Sequence, residues 1–236
     1  TITSTNSGGV TLILGTGGDT FTGGSGGDAI TGNTGNDTLT TGGGADTYTH
    51  TTGGNDNVNL GDGADTVVTA NGIAAADTIV GGAGSDTLNF GANAADMTAA
   101  ALAKATGFDV IEVNGAVTVT LADQDITDSD SNQITINETG ADAAVTVSAA
   151  VSSGKTVVLG EAASFTLADV DDNRVTIADE ADSDDDGLVS DESTETVTTS
   201  TTNTGSIITG SASKDTVTVQ AARAATIDIA GTTLTG

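Results

Sequence analysis

Aspartate recurs in this chain at an interval that could organise a row of cations. Asp19, Asp28, Asp37, Asp46, Asp56, Asp65, Asp77 and Asp86 follow one another at spacings of 9, 9, 9, 10, 9, 12 and 9 residues. Each carboxylate is a hard oxygen donor, and glycine clusters just ahead of it, where bare backbone carbonyls can turn toward an ion. Calcium takes roughly six to eight such oxygens at about 2.3–2.6 Å and tolerates irregular geometry. Aspartates repeated among glycines therefore point to calcium ligation before they point to acid–base catalysis.

The element that must position these carboxylates is a nine-residue turn. Aligned on aspartate, the segments are LGTGGDTFT (14–22), GGSGGDAIT (23–31), GNTGNDTLT (32–40), TGGGADTYT (41–49), TTGGNDNVN (51–59), LGDGADTVV (60–68), a degenerate turn ending AADTIV (75–80), and GGAGSDTLN (81–89). Glycine at the first, second and fourth places suits a tight turn, because it reaches positive φ and allows close backbone approach. The three residues after each aspartate read as a short strand whose middle side chain points inward. Those inward positions are Phe21, Ile30, Leu39, Tyr48, Val58, Val67, Ile79 and Leu88, all apolar. A flexible Gly/Asp linker has no reason to keep apolar residues in register. Turns should alternate sides, giving one ladder of Asp19, Asp37, Asp56 and Asp77 and another of Asp28, Asp46, Asp65 and Asp86.

Residues 14–91 resemble the repeats-in-toxin (RTX) β-roll, whose unit is G-G-x-G-x-D-x-U-x; segments 23–31 and 81–89 match it fully. The resemblance implies a parallel roll holding multiple calcium ions and folding with them. It also implies that the carbonyls of Gly15, Gly17, Gly24, Gly26, Gly35, Gly42, Gly44, Gly61, Gly63, Gly82 and Gly84 complete the shells around the eight aspartates. The turn before Asp77 carries Ile73 and Ala75 where glycine is expected. Its site is expected to be empty or distorted.

Composition agrees with a metal-supported β protein. The chain has 236 residues with 33 Asp and Glu against 5 Lys and Arg, a formal net charge of −28. That balance excludes nucleic acid as a partner and disfavours anionic lipid, since both need a basic face. Self-repulsion at such a charge destabilises a compact state unless cations enter the fold. Cysteine is absent, so disulfides and thiolate metal sites are unavailable. No apolar stretch is long enough to insert in a bilayer. The sequence starts at Thr1 and stops at Gly236 in mid-pattern, as a piece of something larger would.

The fold class expected is all-β: a calcium-binding parallel β-roll over 1–91, a helical cap or linker over 92–107, and a β-rich region over 108–236. This last region reads as an irregular solenoid or a sandwich, with RTX-like repeats resuming near 205–236. Residues 94–106 read as a helix, with Met97, Ala101, Leu102 and Ala105 on one face and Gly107 at its stop. It is expected to cap the open end of the roll. Beyond it, period-two patterning gives candidate strands at 110–113, 117–121, 133–137, 144–147, 156–159, 165–167, 174–177, 217–219 and 226–229. The segment 210–218 is a decayed nonapeptide with Asp215 in the aspartate place.

A second kind of metal site is suggested at 182–193. Asp182, Asp184 and Asp186 stand at places 1, 3 and 5 with Gly187 at 6, the first half of an EF-hand-type loop. Ser193 takes the place of the closing glutamate. Asp128 with Asp130, and Asp169 with Asp171 and Asp172, are weaker candidates.

No catalytic constellation emerges. Residues 23–27 formally match the G-x-S-x-G elbow, but Ser25 occupies the free place of a complete repeat. His50, the sole histidine, falls between two repeats and reads as a solvent-facing insertion. Composition and repeat together resemble RTX-type bacterial surface-layer proteins. That resemblance implies a structural, non-enzymatic component of an extracellular, calcium-dependent layer on the cell surface, exported by type I secretion. Its partners would be other copies of itself, with cell-surface polysaccharide contacted through another region. The alternative is a folding and secretion appendage of a larger secreted hydrolase or adhesin.

Overall fold

Short strands stack in parallel through the described parts of the chain, and in the roll the strand after each repeat aspartate carries an apolar residue facing in. The computed structural model describes residues 1–51, 53–69, 72–90 and 99–113, and beyond them the strands from Thr118–Leu121 to Thr233–Thr235. Every strand pairs in parallel with the strand two places away in the chain. This is a β-solenoid: each turn contributes one strand to one face and the next turn one strand to the opposite face.

The first sheet contains Ile2–Thr3, Thr20–Thr22, Thr38–Gly43, Asn57–Asp62, Thr78–Ala83 and Ala105–Thr106. The second, facing it, runs through 11 strands from Thr11–Ile13 to Thr226–Asp228. A third sheet takes over opposite its far half, from Thr118–Leu121 to Thr233–Thr235. The parallel pairings of 110–235 decide between the two architectures left open by the sequence, in favour of the solenoid. Register lines up Val119, Val147, Phe165, Val197, Val217 and Leu234, all apolar, in one column. Strands at Thr196–Thr198, Ile207–Thr209 and Thr233–Thr235 add to those the sequence suggests.

The core is a narrow file between the sheets. Phe21, Ile30, Leu39, Tyr48, Val58, Val67, Ile79 and Leu88 are all buried. A second inward file lies two residues further along each strand, where alternation brings the side chain back inside. Its members include Leu14, Thr41, His50, Leu60, Thr69 and Phe90, all buried. His50 is therefore not the solvent-facing insertion its position suggests. It closes the strand Thr47–His50, pairs in register with Thr69, and is only 5% exposed. The strand is one alternation longer than the three-residue repeat strand implies, so the side chain after Tyr48 and Thr49 returns to the interior.

The helix, described at Ala99–Leu102, ends earlier than expected, and residues 94–98 lie outside the described part. Ala105–Thr106 form a strand instead, in register with Ile79–Val80. Leu102 and Ala105 are buried in the same core as the roll. The second sheet continues past this point, Thr87–Asn89 pairing with Val110–Val113.

Candidate metal-binding ladders

Stacking in parallel two repeats apart places the aspartates in two rows, and a hydrogen bond fixes each step. The amide of Asp19 donates to Asp37 Oδ1 at 2.8 Å, that of Asp37 to Asp56 Oδ1 at 2.9 Å, and that of Asp56 to Asp77 Oδ1 at 2.9 Å. In the other row the amides of Asp28, Asp46 and Asp65 donate to Oδ1 of Asp46, Asp65 and Asp86 at 2.6, 2.7 and 2.9 Å. Oδ1 is thus the structural oxygen of each carboxylate. It anchors the turn two repeats back.

Oδ2 is the oxygen left over, and its surroundings differ from turn to turn. At Asp28, Asp37, Asp46 and Asp65 it is buried with no hydrogen-bond partner. Thr41 stands beside Asp46, but its single hydroxyl hydrogen is donated to the Leu60 carbonyl at 2.5 Å. A buried, unmatched charged oxygen destabilises by about 1–3 kcal/mol or more. Four such oxygens make these turns the candidates for holding a cation. Burial pushes the Asp46, Asp56 and Asp65 carboxyls above their usual range, because desolvation penalises the charged form. Among the described residues no cluster of three or more His, Cys, Asp or Glu side chains forms. An ion at these turns therefore has to draw most of its oxygens from backbone carbonyls, which suits calcium.

The glycines ahead of the aspartates make that backbone available. Gly42, Gly61 and Gly82 lie in register on the first sheet and all have positive φ, at 110°, 103° and 130°. A Cβ on Gly61 would fall on the Gly42 carbonyl oxygen, and one on Gly82 on that of Gly61. The turns stack too closely there for any side chain. A Cβ on Gly17, by contrast, would meet nothing within 4 Å. The first-place glycine has a different task at Gly32, where a Cβ would come within 2.6 Å of the Tyr48 hydroxyl. That hydroxyl reaches past the missing side chain to donate to Asp56 Oδ2 at 3.1 Å.

Asp56 and Asp77 accordingly differ from the other rungs. His50 lies between them, Nδ1 at 3.5 Å from Asp56 Oδ2 and Nε2 at 3.4 Å from Asp77 Oδ2. Asp77 Oδ2 also accepts the Ala74 amide at 2.8 Å. At the outer end, Asp19 Oδ2 accepts the Gly15 amide at 2.9 Å. One rung escapes the repeat spacing altogether: the Asp86 amide donates to Asp109 Oδ2 at 2.6 Å, 23 residues on. Its signal was the Asp-x-apolar phrase Asp109-Val110-Ile111 flanked by buried Phe108, hidden by the long spacing. Asp182, Asp184 and Asp186, like Asp128, Asp130, Asp169, Asp171, Asp172 and Asp215, lie outside the described residues. Ser25 is exposed, and the element that follows it is the strand Ala29–Thr31, not the helix a nucleophile elbow requires.

A family model for the RTX calcium-binding nonapeptide repeat, covering four copies, matches residues 13–48, 50–74 and 69–94. No curated protein and no solved structure matches the chain.

Proposed function

Residues 13–94 are RTX calcium-binding nonapeptide repeats, and from that premise we propose that the chain is a structural component of a calcium-dependent extracellular surface layer. Calcium ions are its cofactors, and repeats of this family are typical of secreted proteins. No helix among the described residues is long and apolar enough to cross a membrane. The carboxylates of Asp28, Asp37, Asp46 and Asp65, with carbonyls of the stacked glycine turns, are the groups that hold the ions.

The observation that carries the structural reading is the second sheet, which runs without interruption through 11 strands from Thr11 to Asp228. An appendage serving a neighbouring hydrolase needs only the roll itself. Here the roll belongs to a longer solenoid with one repeated rule, each strand pairing in parallel with the strand two places away. A rod stiffened by ions and carrying −28 of formal charge suits assembly in millimolar calcium, where cations both fill turns and screen repulsion between copies.

Sedimentation of the chain at increasing concentration tests the reading. In millimolar calcium it should form concentration-dependent assemblies, and in excess chelator it should not. Monomer at every concentration in calcium would overturn the layer role while leaving calcium binding intact.

A further inference from the structure

We propose that the His50 imidazole takes the place of calcium between Asp56 and Asp77, giving the roll one joint that forms without the ion. The inference rests on the calcium reading of the other turns and concerns where that reading stops. At Asp28, Asp37, Asp46 and Asp65 the second carboxylate oxygen is buried and unmatched. At Asp56 and Asp77 it is matched by side chains and backbone of this chain.

The match is specific. Both ring nitrogens of His50 face a carboxylate, Nδ1 toward Asp56 Oδ2 at 3.5 Å and Nε2 toward Asp77 Oδ2 at 3.4 Å. The Tyr48 hydroxyl donates to the same Asp56 oxygen at 3.1 Å and lies 3.5 Å from His50 Nδ1. The Ala74 amide donates to the same Asp77 oxygen at 2.8 Å, and the Asp77 amide closes that turn on the Ala74 carbonyl at 3.0 Å. His50, Tyr48, Asp56 and Asp77 are all buried. Nitrogen is a poor donor for a hard cation such as calcium, and an ion here would have to displace an aromatic ring and two hydrogen bonds.

The replacement can be traced to the sequence. The inward place that His50 fills is glycine at Gly23, Gly32 and Gly81, threonine at Thr41 and Thr69, and apolar at Leu14, Leu60 and Phe90. Of these, histidine alone brings nitrogens to two rungs at once. The turn ahead of Asp77 carries Ile73 and Ala75 where the repeat has glycine, and its Ala74 amide is committed to Asp77 Oδ2. A weakened ion turn and a side chain that substitutes for the ion occur at the same step.

Two measurements test this on the whole chain. Calcium stoichiometry by native mass spectrometry should rise by about one ion or more in His50→Gly and His50→Thr relative to the parent. Amide exchange of the unmutated chain in chelator avoids any question of whether the variants fold. There, the amides of Asp37 and Asp56, held by Asp56 and Asp77, should exchange about tenfold more slowly than those of Asp28 and Asp46. Equal exchange in both rows, or unchanged stoichiometry in both variants, would overturn the proposal while calcium binding elsewhere stood. A chain that binds no calcium at all would overturn the wider reading with it.

Discussion

At the scale of single residues, each repeat aspartate divides its labour between its two oxygens. At Asp28, Asp37, Asp46 and Asp65, Oδ1 accepts an amide from the chain two turns back, and Oδ2 is buried without a partner. Asp46→Asn separates these roles, since the amide oxygen can still accept from Asp28 while the charge is gone. The variant should melt higher than the parent in chelator, by the equivalent of about 1–3 kcal/mol, yet need about tenfold more calcium to reach half-folding. A variant weaker in both conditions would show that the carboxylate acts only as a structural acceptor. Protons should act on the calcium-free roll in the same sense. Burial raises the Asp46, Asp56 and Asp65 carboxyls above the 3.8 typical of an unfolded chain, so the folded form binds protons more tightly. Its stability is then fully present below about pH 3.8 and declines as pH rises through the raised values. In chelator, strand signal by circular dichroism should grow as pH is lowered from neutral toward about 4. A steady loss over that range would contradict the desolvation argument.

At the scale of the turn, the roll was largely legible in advance, because its rule is local. Period nine gives the aspartates, period two gives the inward residues, and both follow from residue type alone. Phe21 through Leu88 are buried as the alternation requires. What the repeat did not disclose were features set by packing between turns. His50 turned inward because the strand Thr47–His50 runs one residue beyond the repeat, and Asp109 joined its row across a 23-residue gap. The helix yielded residues 105 and 106 to the first sheet, whose edge at Ile79–Val80 offered backbone partners that a helix end would leave unused. Glycines at different places in the repeat also separate by contact. Gly61 is pressed against Gly42 at φ 103°, whereas a Cβ on Gly17 would meet nothing within 4 Å. Gly61→Ala should lower the stability of the calcium-loaded roll by about 1–3 kcal/mol, and Gly17→Ala should stay within about 0.5 kcal/mol of the parent. Thermal melts in saturating calcium read both, and equal effects would show that stacking distance is not what demands glycine.

At the scale of the whole molecule, the chain is a parallel solenoid whose roll buries carboxylate oxygens that no described residue matches at Asp28, Asp37, Asp46 and Asp65. Cysteine is absent, and 33 acidic residues oppose 5 basic ones. Hydrophobic burial has to overcome both chain entropy and charge repulsion. Ions that bind the folded roll and not the unfolded chain supply the difference, by about 2.7 kcal/mol for a single site at a hundredfold excess over its Kd. Rows of such sites make folding a steep function of calcium. The central claim is therefore tested most directly by far-ultraviolet circular dichroism of the full chain during a calcium titration and its reversal with chelator. The account predicts strand signal that appears cooperatively with calcium and collapses when the ion is removed, apart from the local order held by His50. A strand spectrum indifferent to excess chelator would contradict it.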